Sequence, residues 1–180
     1  MALQSGIRVN HTWSYRRIIG AESDLEFLAG EGPKLSPRLL DATLASLHAV
    51  PERLLPIYDT VKQVKAGLGG SRTLLGFAGS PWTVATYMVA GEGSRDQHDT
   101  RALAYRDAGA FQAIIDAIAS VTIEYLIGQI NAGAEAVQLF DSWAGSLAPA
   151  EFQRWVIAPN AAIVSALRAR APHVPVIGFP

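Results

Sequence analysis

Two stretches of this 180-residue sequence set hydroxyl, aromatic and carboxylate groups side by side in otherwise apolar surroundings. The first is Gly79-Ser80-Pro81-Trp82-Thr83, followed by Tyr87; the second is Asp141-Ser142-Trp143-Ala144-Gly145. Tyr87 and Ser142 lack an obvious basic neighbour in sequence that would make either a nucleophile. Each candidate also has a structural reading. Ser80 ahead of Pro81 fits a helix cap, Asp141-Ser142 fits the start of a turn, and Tyr87 fits a packed ring with a satisfied hydroxyl. His11, His48, His98 and His173 are scattered without metal-ligand spacing and read as surface or loop positions. With no cysteine, these residues hold neither thiolate metal ligands nor disulfides. Gly67 to Gly70 and Gly91-Glu92-Gly93 match neither phosphate-binding glycine pattern.

These groups need elements to hold them. From Pro51, apolar residues recur at helical steps through Leu54, Tyr58, Val61, Val64 and Leu68 until glycines stop the run. Residues 74–79 read as a buried strand, and Pro81 opens a helix that Gly91 ends. The strongest helix is predicted over 107–132, with Phe111, Ile114, Ile115, Ile118, Thr122, Tyr125, Leu126 and Ile130 on its apolar face and Gly133 at its C-cap. Residues 135–140 and 174–179 read as two further strands. A helix from about Pro149 is expected to break at Pro159 and restart. Gly30-Glu31-Gly32-Pro33 marks a turn, and the residues before it show no sustained period. Strands alternating with helices predict a parallel sheet, with strands 74–79, 135–140 and 174–179 as parallel neighbours. Three strands cannot close a barrel; an open sheet completed by a partner is the alternative. Reactive groups in such folds gather beyond the C-terminal strand ends, where both stretches fall.

The run Gly76-Phe77-Ala78-Gly79-Ser80-Pro81-Trp82-Thr83-Val84-Ala85-Thr86-Tyr87-Met88-Val89-Ala90-Gly91 resembles the second signature motif of the uroporphyrinogen decarboxylase family throughout. Gly30 to Pro33, Gln129 to Ala134 and Val137 to Gly145 resemble further family segments in family order. The resemblance covers residues 25–180 and leaves 1–24 unassigned. It implies a partial (β/α)8 TIM barrel with outer helices, a deep cleft at the strand C-termini and a homodimer. It also implies that Tyr87 and Ser142 hydrogen-bond the substrate and that Phe77 lines the same cleft. The substrate is uroporphyrinogen III, a tetrapyrrole with eight carboxylates, and the product is coproporphyrinogen III after four acetate carboxylates leave as CO2. Protonation of the neighbouring pyrrole supplies the electron sink, so neither cofactor nor metal is implied. The family's arginine motif, its pyrrole-gripping aspartate and its C-terminal histidine are absent, so the chain is expected to be a truncated middle portion, inactive alone. Two rivals are a corrinoid-linked methyltransferase of the same superfamily, whose zinc ligands include cysteine, and a non-catalytic fragment.

Formal charge is −1, without a basic or acidic run, which gives nucleic acid no electrostatic footprint. No uninterrupted apolar stretch of about 20 residues stands out as a membrane span, and no secretory leader pattern opens the chain. A cytoplasmic protein is the expectation.

Overall fold

The computed structural model describes residues 24–28, 32–36, 38–39, 51–70 and 72–179. Three strands form one parallel sheet: β3 (Leu75–Gly79), β4 (Ala136–Phe140) and β5 (Val176–Phe179), paired in the order β3-β4-β5. Each lies within a residue or two of its predicted span. Neighbours in sequence are neighbours in the sheet, as in an arc of a β/α barrel, without the reversal of strand order that marks a doubly wound sheet. A separate antiparallel hairpin precedes it, β1 (Asp24–Leu28) on β2 (Gly32–Ser36). Of the predicted turn at Gly30 to Pro33, Gly32 and Pro33 belong to β2, and Gly30 and Glu31 lie outside the described residues. Asp24-Leu25-Glu26-Phe27 alternates polar and apolar residues, a short strand signal that sequence reasoning passed over. Residues 1–23 lie outside the described residues, as do His11 and His48.

Helix α1 (Leu55–Leu68) begins later than expected, because Pro51–Leu54 forms a 3₁₀ turn ahead of it. Helices α2 (Pro81–Ala90) and α3 (His98–Arg106) follow, then the long α4 (Ala108–Asn131). Asp107 caps α4, its carboxylate accepting from Ala110 N at 2.9 Å, and Gly133 turns the chain at φ 114°. Among the described residues α4 is the one helix with the length and composition to cross a bilayer, and more than half of that window is buried inside the fold. His98 starts α3 and His173 sits in a turn; both are exposed.

The helix from Pro149 does not break at Pro159. α5 (Pro149–Phe152) runs into a π-helical turn, Gln153–Ile157, and onward as α6 (Ala158–Arg170). Ala158 N–H reaches back five residues to the Gln153 carbonyl. A wider turn just before the proline lets the helix continue past a residue that lacks an N–H and crowds the preceding turn.

The core lies on one face of the sheet. Ala78, Val137 and Leu139 point into it with Ile114, Ile115, Ile118, Leu126 and Ile163, all buried. Trp82 of α2, Phe111 of α4 and Trp155 of the π turn stack edge to face, with centroids 5.6 Å and 4.9 Å apart. α1 rests on α4 through Tyr58, whose ring lies over Gly128: an ideal Cβ there would stand 2.2 Å from Tyr58 Cζ. Desolvation is the main cause that pushes the Tyr58 hydroxyl up to about 12. The opposite sheet face carries Leu75, Phe77, Phe140, Ile177 and Phe179, and Phe179 is 55% exposed. Among the described residues, helices cover one face of the sheet only.

Candidate functional site

The open sheet face ends in a row of aromatic rings. Phe77 of β3 meets Phe140 of β4 edge-on at 6.1 Å, and Phe140 meets Phe179 of β5 at 5.8 Å. Register explains the row, because Gly79 pairs with Phe140 and Phe140 with Phe179, which puts all three side chains on one face. The chain leaves β4 directly after Phe140, so Asp141, Ser142 and Trp143 form the rim of this apolar floor. Ser142 is exposed there, at a strand C-terminus as predicted. Tyr87 is half-buried on α2, and its ring meets Trp143 at 6.1 Å with the planes at 68°. The three sequence candidates thus gather around one strand end: Phe77 on the floor, Ser142 on the rim, and Tyr87 against the residue after Ser142.

Ser80 is a correction. Its side chain makes no cap bond to α2, and it is almost fully buried. Its backbone instead extends the sheet, Ser80 N donating to Phe140 O at 2.7 Å. The cap comes from across the sheet. Asp141 Oδ1 accepts from Thr83 N at 3.2 Å and from Thr83 Oγ1 at 2.7 Å, so a carboxylate from the β4 loop satisfies the first turn of α2. Asp141 Oδ2 accepts from Asn160 Nδ2 of α6 at 3.2 Å, and Thr83 Oγ1 accepts from Trp143 N at 3.2 Å. Asp141 begins a turn, as its sequence suggested, and also ties α2, α6 and the β4 loop together.

Sequence reasoning missed that role, although a carboxylate directly after an apolar strand was a usable signal, since a buried acid needs partners. Asp141 is 3% exposed, and burial pushes its carboxyl above the usual carboxylate range, against the pull of the Thr83 and Asn160 hydrogen bonds. A raised folded value means stability that is present below the ordinary value of 3.8 and lost as pH rises through the folded value. Asn160 Oδ1 is buried without a partner. Asp141→Asn should keep both Thr83 bonds, and a half-turn of the Asn160 amide lets its idle oxygen accept from the new side chain. Urea unfolding at a series of pH values should then show a change within about 1 kcal/mol at neutral pH. The variant should also lose the part of the parent's decline with rising pH that Asp141 causes. A pH profile parallel to the parent's would mean that Asp141 titrates normally.

Among the described residues, no three His, Asp or Glu side chains converge as a metal would require.

A parallel β/α arc with polar groups beyond its strand C-termini defines a portion of a β/α-barrel protein. A methyltransferase from Methanosarcina mazei shares this fold at a TM-score of 0.66 and 15% identity, over 96% of this chain and 54% of that one. Family comparison goes further: residues 19–180 match the family described as Uroporphyrinogen decarboxylase (URO-D), and the chain belongs to it. It is 79% identical over 157 residues to the uroporphyrinogen decarboxylase of Novosphingobium aromaticivorans, covering 87% of this chain and 46% of that protein. The corresponding protein of Erythrobacter litoralis is 71% identical over 156 residues, with the same shares covered. That of Paracoccus denitrificans is 50% identical over 160 residues, covering 87% of this chain and 47% of that protein. The chain spans about half the length of the curated relatives it matches.

Proposed function

We propose that this chain is the central part of an enzyme that decarboxylates uroporphyrinogen III to coproporphyrinogen III, in porphyrin and haem synthesis. The observation that supports this most is the gathering of Phe77, Tyr87 and Ser142 around one strand end, in a chain whose relatives carry that enzyme's name. Loss of CO2 from an acetate arm leaves an electron pair, which the protonated pyrrole beside it accepts. The protein's task is therefore to fix the ring, hold the carboxylates and keep water out. Phe77 offers apolar surface to the pyrroles, together with Phe140 and Phe179. Tyr87 and Ser142 donate hydrogen bonds to substrate carboxylates at the edge of that surface, where a less polar setting makes each bond stronger than in water. A homodimer in the cytoplasm belongs to the same reading.

The test grafts residues 25–180 into the Novosphingobium relative and follows CO2 release from uroporphyrinogen III. Tyr87→Phe and Ser142→Ala each remove one bond to a charged group, about 1.5–3 kcal/mol. If those bonds tighten in the transition state, kcat/KM should fall roughly 10- to 150-fold. The isolated chain should be inactive, because the arginine, aspartate and histidine groups that the family resemblance implies are not in it. A folded but inactive graft counts against the function; parental rates in both variants count against the two hydroxyls alone.

A further inference from the structure

Gln97 is the one non-glycine residue with positive φ among the described residues, at 53°. It ends the loop between α2 and α3 and is 2% exposed. Its side chain joins two tryptophans: Oε1 accepts from Trp82 Nε1 at 2.9 Å, and Nε2 donates to the Trp143 carbonyl at 2.7 Å. Chemistry alone sets the direction of that amide. An indole N–H can only donate and a backbone carbonyl can only accept, so a neutral amide of this reach serves both and a carboxylate serves one. Gln97 N is held in turn by Ser94 Oγ at 3.1 Å, and Asp96 Oδ1 accepts from Ser94 Oγ at 2.9 Å. This internal bonding fixes an unfavourable backbone conformation, as expected where geometry matters more than local comfort.

The loop that Gln97 closes runs along Tyr87. An ideal Cβ on Gly93 would stand 3.4 Å from Trp143 Cζ2, 3.5 Å from Tyr87 Cε1 and 3.6 Å from the Tyr87 hydroxyl. Trp143 is the edge-to-face partner of Tyr87 and the residue after Ser142. Thr83 holds Trp143 by its N–H, and Gln97 holds it by its carbonyl.

We infer that Gln97 is a positioning residue, whose amide anchors Trp143 so that the Trp143 ring and the Gly91–Asp96 loop fix the Tyr87 hydroxyl over the strand ends. Its consequence for a substrate rests on the function proposed above; the placement of Tyr87 does not. The two Gln97 bonds can be separated. Gln97→Glu keeps the acceptor for Trp82 and loses the donor to Trp143, whereas Gln97→Met loses both.

The experiment labels the 180-residue chain with 3-fluorotyrosine and follows the ¹⁹F resonance of Tyr87, assigned through Tyr87→Phe. Tyr125, buried in the core, is the reference for an intact fold. In Gln97→Glu the Tyr87 resonance should shift and broaden while that of Tyr125 stays in place. An unmoved Tyr87 resonance beside an unmoved Tyr125 overturns the inference. If Gln97→Glu fails to fold, Ser94→Ala decides: it loosens the Gln97 backbone and leaves both amide bonds, so the Tyr87 resonance should shift while that of Tyr125 stays in place, and no movement overturns the inference. Titration of the Novosphingobium graft, as parent and as Gln97→Glu, with uroporphyrin, the oxidised octacarboxylate, separates the two claims. A porphyrin effect on Tyr87 in the parent that weakens in Gln97→Glu supports both. No porphyrin effect, with Tyr87 still displaced in Gln97→Glu, supports the positioning role and counts against the function.

Discussion

Phe111→Ala should lower the unfolding free energy by about 3–5 kcal/mol, measured by urea unfolding with tryptophan fluorescence. Phe111 is completely buried near the N-terminal end of α4, between Trp82 and Trp155. It joins two helices that lie between β3 and β4 to the π turn that follows β4, so its removal opens a void that none of them can fill alone. Each edge-to-face contact also adds roughly 0.5–1.5 kcal/mol beyond burial. A domain is typically stable by about 5–15 kcal/mol, so the loss would take a third or more of the total in most cases. Phe111→Leu separates the terms, because it keeps most of the volume and loses the ring edges. A loss below about 1 kcal/mol in the alanine variant would mean that the tryptophans close over the gap.

Gln129→Met is expected to be nearly as damaging, for a different reason. Gln129 projects from α4 to the outer edge of β3, where its Oε1 accepts from Phe77 N and its Nε2 donates to Phe77 O, both at 3.0 Å. The side-chain amide copies what a neighbouring strand would offer. Methionine matches the volume and offers neither group. Each buried backbone group that loses its partner costs about 1–3 kcal/mol, so the pair is worth roughly 2–6 kcal/mol. Gly76 is part of the same fit: an ideal Cβ there would stand 2.9 Å from Gln129 Oε1 and 3.1 Å from Ala134 Cβ. Hydrogen exchange at the Phe77 amide gives a local reading alongside the global one. Protection that survives in the methionine variant would show that water or another group takes over.

The parallel arc was legible because its signals are local. Apolar runs bounded by Gly79 and Gly133, the proline at position 81 and the helical period after Asp107 each fix an element from its own residues. Tyr87, Ser142 and Phe77 were singled out through the family resemblance and, for Ser142, through its place after a strand; their roles belong to the proposed function. What could not be read depends on distant partners. The cap on α2 comes from Asp141, 58 residues from Thr83. The left-handed backbone at Gln97 has no glycine or asparagine to announce it, and the open aromatic face follows from strand register across three segments. Pro159 misled because a proline inside a helical pattern usually breaks it, and only the π turn ahead of it shows the other outcome.

The Tyr58 ring lying on Gly128 has a consequence for how this sequence can drift. Positions 58 and 128 are sterically coupled, although 70 residues separate them along the chain. A methyl group at 128 lands within the Tyr58 ring, so replacing the glycine requires the ring to swing aside. The reverse order is open: a smaller residue at 58 leaves only a gap, which a later alanine at 128 can help to fill. A change that first removes the ring at 58 therefore opens 128 to residues of higher helix propensity, whereas the opposite order must first displace the ring.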